Sequence, residues 1–556
     1  STGPERVAAV WSAPVADAIA KDLTGETAES FKRARSRLDA WWQAWADLHG
    51  EACRATRVRG EQSDELLSRR MLCLDRRFAE GLALVNVLKQ RDDGALAQSP
   101  EAVDALTSLH GCSDTEALLA EVAPPAGELL GSQVERVRAL LREAKARFDA
   151  GLYKDAEARA SEAVKRAREG TYRPVLAEAL VALGRVQEHA GDLKGAEATL
   201  TEAISVSEGA KTDALTAEAA TLLTLVLGVR QARYGEAHAW GKLAEGTIHR
   251  IGGSLPLQAR LTQTSGLVLY QEGKLDDAIA AHQKAVELFV KLEPDGLALA
   301  DAYSALGAAY RGGRKAKEAM AAFEQALVIF RERVGPNSDL TATALNGVGS
   351  SLMLDGRFDE ALKLYTQAHD VFVKRLGPTH FRTVTAVNNI GVVLAEQGRY
   401  ADALPYFEKV VKVREATLAA TDAKTADALA NVGMLLVELQ RWEDAAKRFE
   451  KARGILQGYP LDHFSQAEPL LGEAKLFIAK GEREKAVPLL ERVLKLCESK
   501  QGFRFDYTRA RASFVLARAQ RSRALAEKAR AAFVSFGPER FKRDLTEVDA
   551  WLATTR

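Results

Sequence analysis

One spacing constrains this chain more than any other. Gly266, Gly307, Gly349, Gly391 and Gly433 follow one another at 41, 42, 42 and 42 residues. Seven residues after most of them stands a turn glycine (Gly273, Gly356, Gly398), and twelve after stands an alanine (Ala278, Ala319, Ala361, Ala403, Ala445). Sixteen after comes a bulky ring (Phe323, Tyr365, Phe407, Phe449), and nineteen after another small residue (Ala285, Ala326, Ala368, Val410, Ala452). The frame fits earlier at Ala144, Gly151, Ala156 and Ala163 and at Gly184, Gly191, Ala196 and Ala203, and later at Ala474, Gly481, Ala486 and Val493. A degenerate copy lies near Gly228 and Gly235, and a shortened one covers Tyr507 to Phe536. A period of this length marks a stack of supersecondary units rather than a single globular core. The count is about ten helix pairs over residues 134–536.

Each mark has a physical reason. Small residues at the first and last marks let the two helices of a hairpin touch, and the ring between them fills the gap to the next pair. The glycine at the turn takes the left-handed conformation that ends the first helix. One pair cannot bury its apolar face alone, so neighbours complete the core. The pattern resembles the tetratricopeptide repeat. Its usual unit is about 34 residues, whereas these units run 42 residues and close with Arg333-Val334-Gly335-Pro336-Asn337 and Leu376-Gly377-Pro378-Thr379-His380. That longer form resembles the kinesin-light-chain type. The fold expected is all-α: a right-handed α-solenoid with an N-terminal helical hairpin cap.

Composition agrees with a large helical chain and excludes several classes. The chain has 556 residues and 60.4 kDa, more than one ordinary domain, and is 47% hydrophobic and 28% charged. With 77 basic against 76 acidic side chains the net charge is +1, which argues against a coat for nucleic acid or anionic lipid. Four cysteines do not make a disulfide scaffold, and no run approaches the ~18 apolar residues of a membrane span. The start, Ser1-Thr2-Gly3-Pro4-Glu5-Arg6, lacks a signal pattern and reads as the cut end of a longer chain.

Residues 1–91 lie outside the repeat frame. A helical pattern from Thr27 to Arg59 carries Trp41, Trp42 and Trp45; Gly60-Glu61-Gln62-Ser63 breaks it and supplies an N-cap, and residues 64–90 form a second helix, giving an antiparallel hairpin. Segment 92–133 reads as an acidic linker: eight acids (Asp92, Asp93, Glu101, Asp104, Asp114, Glu116, Glu121, Glu128) and no lysine or arginine stand in 92–128, with Pro124-Pro125-Ala126-Gly127 near its end. The solenoid follows over 134–536, and 537–556 reads as a capping helix. From Arg504 to Arg543 eleven basic residues face three acidic ones. Arg509, Arg511, Arg518, Arg521 and Arg523 read as the solvated outer face of the last pair, or else as a patch for an acidic partner.

The run Glu51-Ala52-Cys53-Arg54-Ala55-Thr56-Arg57-Val58-Arg59-Gly60-Glu61-Gln62-Ser63, then Arg70-Met71-Leu72-Cys73-Leu74-Asp75-Arg76-Arg77, resembles a segment of bacterial, especially myxobacterial, serine/threonine protein kinases. There it joins a kinase domain to an array of tetratricopeptide repeats. The resemblance implies the regulatory region of a kinase, extracytoplasmic if a membrane span precedes it and cytoplasmic otherwise. The chain itself carries no glycine-rich loop after a strand, no His-Arg-Asp loop and no Asp-Phe-Gly metal site.

Other chemistry is equally absent from the sequence. Gly273-Lys274 is followed by leucine, so it is no phosphate loop, and no Gly-x-Ser-x-Gly elbow occurs. His238 and His249 stand too far apart for one metal. No catalytic residue, metal site or cofactor is expected. Cys53 and Cys73 come within about one turn of each other across the hairpin, so they either form a disulfide or pack as two free thiols, while Cys112 and Cys497 are expected to be free. The groove carries the functional expectation. Gln263, Ser304, Asn346 and Asn388 stand three residues before their marks, and Asn389 and Asn431 two before. Such amides offer donors and acceptors to an extended peptide, and the kinesin-light-chain resemblance implies that asparagines here contact a cargo peptide. The other reading is that they bond neighbouring loops or repeats. Two functions stand: a protein- or peptide-binding region that regulates an attached or separate kinase domain, and a stand-alone scaffold that bridges partners or self-associates through its acidic and basic ends.

Overall fold

The computed structural model describes residues 2–114, 118, 128–461, 463–498 and 503–555. Among them there is no strand, and no helix is long and apolar enough to cross a membrane. Glu116, Glu121 and the Pro124 to Gly127 run lie outside the described residues.

Six helices open the chain: α1 (Gly3–Ala8), α2 (Ala13–Ala20), α3 (Gly25–Arg57), α4 (Asp64–Leu88), α5 (Asp93–Ala97) and α6 (Ser99–Asp104). Helices α3 and α4 form the expected hairpin, and the Ser63 hydroxyl accepts from the Leu66 amide as the N-cap of α4. The tryptophans pack where α4 offers no side chain, since a Cβ on Gly81 would lie 2.7 Å from Trp42 and 2.8 Å from Trp41. The acidic stretch is more than a linker. Leu96, Ala102 and Val103 are buried in one core with Phe31, Leu38, Trp42 and Leu88. Of its described acids, Asp92, Asp93 and Asp114 are exposed, and Asp104 receives Arg37 at 2.5 Å and Arg333 at 2.8 Å. The opening helices therefore reach beyond the first repeat to the loop after Arg333.

The cysteine expectation is corrected here. The disulfide joins Cys73 to Cys112, 39 residues apart, and Cys53 is free. On α3 the buried stripe passes through Ala52 and Ala55, which turns Cys53 about 100° away from it. Cys73 instead faces the short helical turn His110–Cys112, held nearby by Arg70, whose Nε donates to the Cys112 carbonyl.

Ten helix pairs follow among the described residues. They are α7 (Glu128–Asp149) with α8 (Tyr153–Glu169), α9 (Arg173–Ala190) with α10 (Leu193–Gly209), and α11 (Asp213–Thr224) with α12 (Tyr234–Arg250). Next come α13 (Leu255–Glu272) with α14 (Leu275–Leu292), α15 (Leu297–Gly312) with α16 (Ala316–Arg333), and α17 (Asp339–Leu354) with α18 (Phe358–Leu376). The last are α19 (Phe381–Glu396) with α20 (Tyr400–Thr417), α21 (Ala423–Glu438) with α22 (Trp442–Ile455), α23 (Ala467–Ala479) with α24 (Arg483–Glu498), and α25 (Phe503–Gln520) with α26 (Arg523–Phe536). Helix α27 (Lys542–Thr554) ends the chain. Contacts group the molecule into two units that divide within the α15/α16 pair: residues 1–306 with 328–336, and residues 307–327 with 337–556.

The ring mark is clamped from both sides. A Cβ on Gly307 would lie 2.9 Å from Phe323, and one on Gly347, in the next pair, 2.4 Å. Phe449 sits likewise between Gly433 at 2.5 Å and Gly472 at 2.2 Å. At Gly266 the ring position is His282, and at Gly184 it is Leu200. The turn position is left-handed even where glycine is missing, as at Arg314 (φ 61°) and Gln440 (φ 59°). The degenerate pair has a shortened frame. Gly228 packs against Val268, but the chain passes through a π-helical turn over Leu225–Arg230 and the left-handed residue is Ala232, not Gly235.

Candidate functional site

The first helix of each pair presents the positions named from the sequence. Gln263, in the first unit, receives or donates a 3.1 Å hydrogen bond at His282 Nδ1, and Ser304 has a buried hydroxyl with no partner. In the second unit, Asn389 donates to Asn346 Oδ1 at 3.0 Å, tying α19 to α17. Asn388 and Asn431 are half-buried, and among the described residues their amides have no hydrogen-bond partner. The six positions thus divide: Asn346 and Asn389 bond across two pairs, Gln263 bonds within its own pair, and Ser304, Asn388 and Asn431 have no side-chain partner among the described residues. Their residue type alone carries no signal of that division.

Asn431 opens into a chamber of about 320 Å³ in the second unit. Val392, Ala395 and Glu396 of α19, Asn431, Met434, Leu435 and Glu438 of α21, and Lys475 of α23 line one side. Tyr507 and Arg511 of α25, with Arg543, Asp544 and Glu547 of α27, line the other, so the final helix lies across the first helices of earlier pairs. Three contacts seat it. Arg543 donates to the Ala395 carbonyl at 2.5 Å and lies 3.7 Å from Glu396. Phe541 is buried against Phe533, Phe536 and Tyr507. The backbone of Glu539 closes on Gly356, where a Cβ would approach to 2.9 Å.

The electrostatics of this chamber depart from those of the surface. Burial pulls the Lys475 ammonium pKa down, with the Arg511 charge acting the same way and Glu438, 3.6 Å away, opposing. Burial likewise pushes the Glu396 carboxyl up against the pull of Arg543, and raises the Tyr507 hydroxyl. The basic C-terminal stretch is therefore only partly a solvated face. Arg511 is enclosed and paired with Glu468 at 3.1 Å, and Arg509 pairs with Asp506 at 3.0 Å. Lys475, Asp544 and Glu396 escaped the sequence reading because no periodicity marks them. Among the described residues no group of three histidine, cysteine or acidic side chains is arranged to hold a metal.

Models described as tetratricopeptide repeat match residues 141–214, 258–332, 340–416 and 424–499, together more than half of the chain. No curated protein matches the chain in sequence. Among solved structures, the chain is similar to putative kinesin light chain TPR-like repeats of Podosopora anserina, at 18% identity over 36% of this chain and 97% of that one, TM-score 0.33. It is similar to BtubC (BKLC) from P. vanneervenii at 18% identity, over 41% and 94% of the two chains, TM-score 0.35. A Rap protein complexed with competence and sporulation factor matches at 14% identity, over 76% and 100%, TM-score 0.45. The repeat frame, the clamped rings and the matching models give one conclusion: the chain belongs to the tetratricopeptide-repeat proteins.

Proposed function

We propose that this chain is a non-catalytic binding module that holds an extended peptide or protein segment along the first helices of its second unit. The observation that carries this reading is a pair of half-buried amides, Asn388 on α19 and Asn431 on α21, that have no hydrogen-bond partner among the described residues. Both amides are open to solvent, and a peptide backbone can take the place of that water because it supplies both a donor and an acceptor. The finer reading is that binding regulates a serine/threonine kinase domain. The likeness of residues 51–77 to the segment that joins kinase and repeats in bacterial kinases supports it, as does the packing of α6 against Arg333, which links the opening helices to a repeat loop.

A displayed peptide library selected on the full chain provides ligands, whose affinities are then measured by fluorescence anisotropy. The Asn388→Ala/Asn431→Ala protein should fold normally and bind the selected peptides about tenfold more weakly or worse. Equal affinity would contradict the reading.

A further inference from the structure

The chamber beneath α27 is not filled by its own charges. Four carboxylates line it (Glu396, Glu438, Asp544, Glu547) against three cations (Lys475, Arg511, Arg543). Each cation already has a partner: Lys475 has Glu438 at 3.6 Å, Arg543 has Glu396 at 3.7 Å and the Ala395 carbonyl, and Arg511 has Glu468, a carboxylate outside the chamber. Asp544 interacts with Arg511 and Arg543 only at longer range, with no ion pair or hydrogen bond to either. It is only 9% exposed, and its Oδ2 has no hydrogen-bond donor. Glu547 lies 3.9 Å from Arg518 and acts on Lys475 at longer range. The Asn431 amide adds a further unused acceptor. A buried carboxylate without a donor is costly, and what Asp544 lacks is a cationic donor within hydrogen-bond reach.

The rest of the lining fits a cation on a short stem. The Tyr507 and Tyr400 rings already receive Arg511 at 5.4 Å and Arg543 at 5.9 Å, which holds these two guanidiniums to the chamber wall. Val392, Met434 and Leu435 offer apolar surface for methylenes. The volume, about 320 Å³, lies at the small end for ligand pockets and suits one side chain rather than a folded domain. A neighbouring cavity of about 520 Å³ shares Glu396, Arg543 and Glu547 with the chamber, so the charged rim continues to the other side of α27.

We infer that the chamber is a binding site for a guanidinium or ammonium group on an alkyl stem, received by Asp544 with Glu547 and Asn431. The inference rests on the second unit's ligand-binding reading and narrows it to a basic anchor. Such a group reaches the site either as an arginine or lysine side chain of a bound peptide or as a free basic amino acid.

The test is calorimetric titration of the full chain with N-acetyl-L-arginine amide and with its uncharged isostere N-acetyl-L-citrulline amide. The arginine probe should bind about tenfold tighter or more than the citrulline probe. Asp544→Asn, which keeps the shape, should remove about that factor, and Glu547→Gln part of it. Equal binding of the two probes, no binding of either, or undiminished binding of the arginine probe to both variants would overturn the inference. Because the two probes are compared on the unaltered protein, misfolding of a variant leaves the test intact. Both sources are then separated: free L-arginine binding more tightly than the blocked probe assigns the site to a free amino acid, and the reverse order to a peptide side chain. A selected peptide that needs Asn388 but binds Asp544→Asn with full affinity would sink the chamber alone and leave the groove standing.

Discussion

The seams between helix pairs and the chamber under α27 are built on the same first helices, yet they solve opposite problems. At a seam, Phe449 is held between Gly433 and Gly472 with no polar atom to satisfy. In the chamber, seven charged side chains converge and one carboxylate oxygen has no donor. The seam is complete without help, and the chamber is not. A region that saturates its own contacts contributes stability, whereas one left short of a partner keeps binding energy for a ligand. The same contrast divides the asparagines: Asn346 and Asn389 satisfy each other, while Asn388 and Asn431 do not.

Three substitutions on the seam side sharpen this contrast. Phe449→Ala, which empties the clamp, should cost about 3–5 kcal/mol in denaturant unfolding; a loss below ~1 kcal/mol would mean the ring is not clamped.

The next effect depends on pH. His282 takes the ring position of its pair; burial pulls its pKa down to about 4, and its Nε2 has no partner. A histidine whose folded pKa lies below its unfolded value of about 6.5 contributes fully above that value, and the contribution is lost as pH falls toward 4. Stability should therefore decline by up to about 3 kcal/mol over that window from this group. His282→Phe, the residue the sister repeats use, should flatten the acid side of the stability profile. An unchanged slope between those pH values would contradict the burial.

The smallest effect concerns the turns. Gln440 pays the left-handed penalty that glycine avoids elsewhere, so Gln440→Gly should raise stability by about 0.5–1 kcal/mol. A fall in Tm would mean that the Gln440 side chain compensates for its backbone.

How much of this was legible follows the same line. The seams could be read because glycine, ring and small residue recur at one spacing, and packing repeats when sequence repeats. Even the missing turn glycines at Arg314 and Gln440 stand in register. The chamber could not be read, because Glu396, Lys475, Arg511 and Asp544 come from four helices and follow no period. Arg511 resembled any solvated arginine of a capping helix until α27 was placed beside it. The disulfide failed for a related reason. Hairpin register brings Cys53 near Cys73, but the short turn carrying Cys112 packs into the same core as Cys73 and Trp45, a contact that no periodicity announces. The degenerate pair was located correctly at Gly228 but misread at Gly235, because a π turn shortens the frame.

The most direct measurement crosses the two pairs of asparagines. Peptide affinity and Tm are measured together for Asn388→Ala/Asn431→Ala and for Asn346→Ala/Asn389→Ala, using one selected peptide. The account predicts that the first protein keeps its Tm and loses about tenfold or more in affinity, while the second loses stability by about 0.5–1.5 kcal/mol and keeps its affinity. The reverse pattern, or two proteins that lose affinity alike, would contradict the claim that only the unpaired amides receive the ligand.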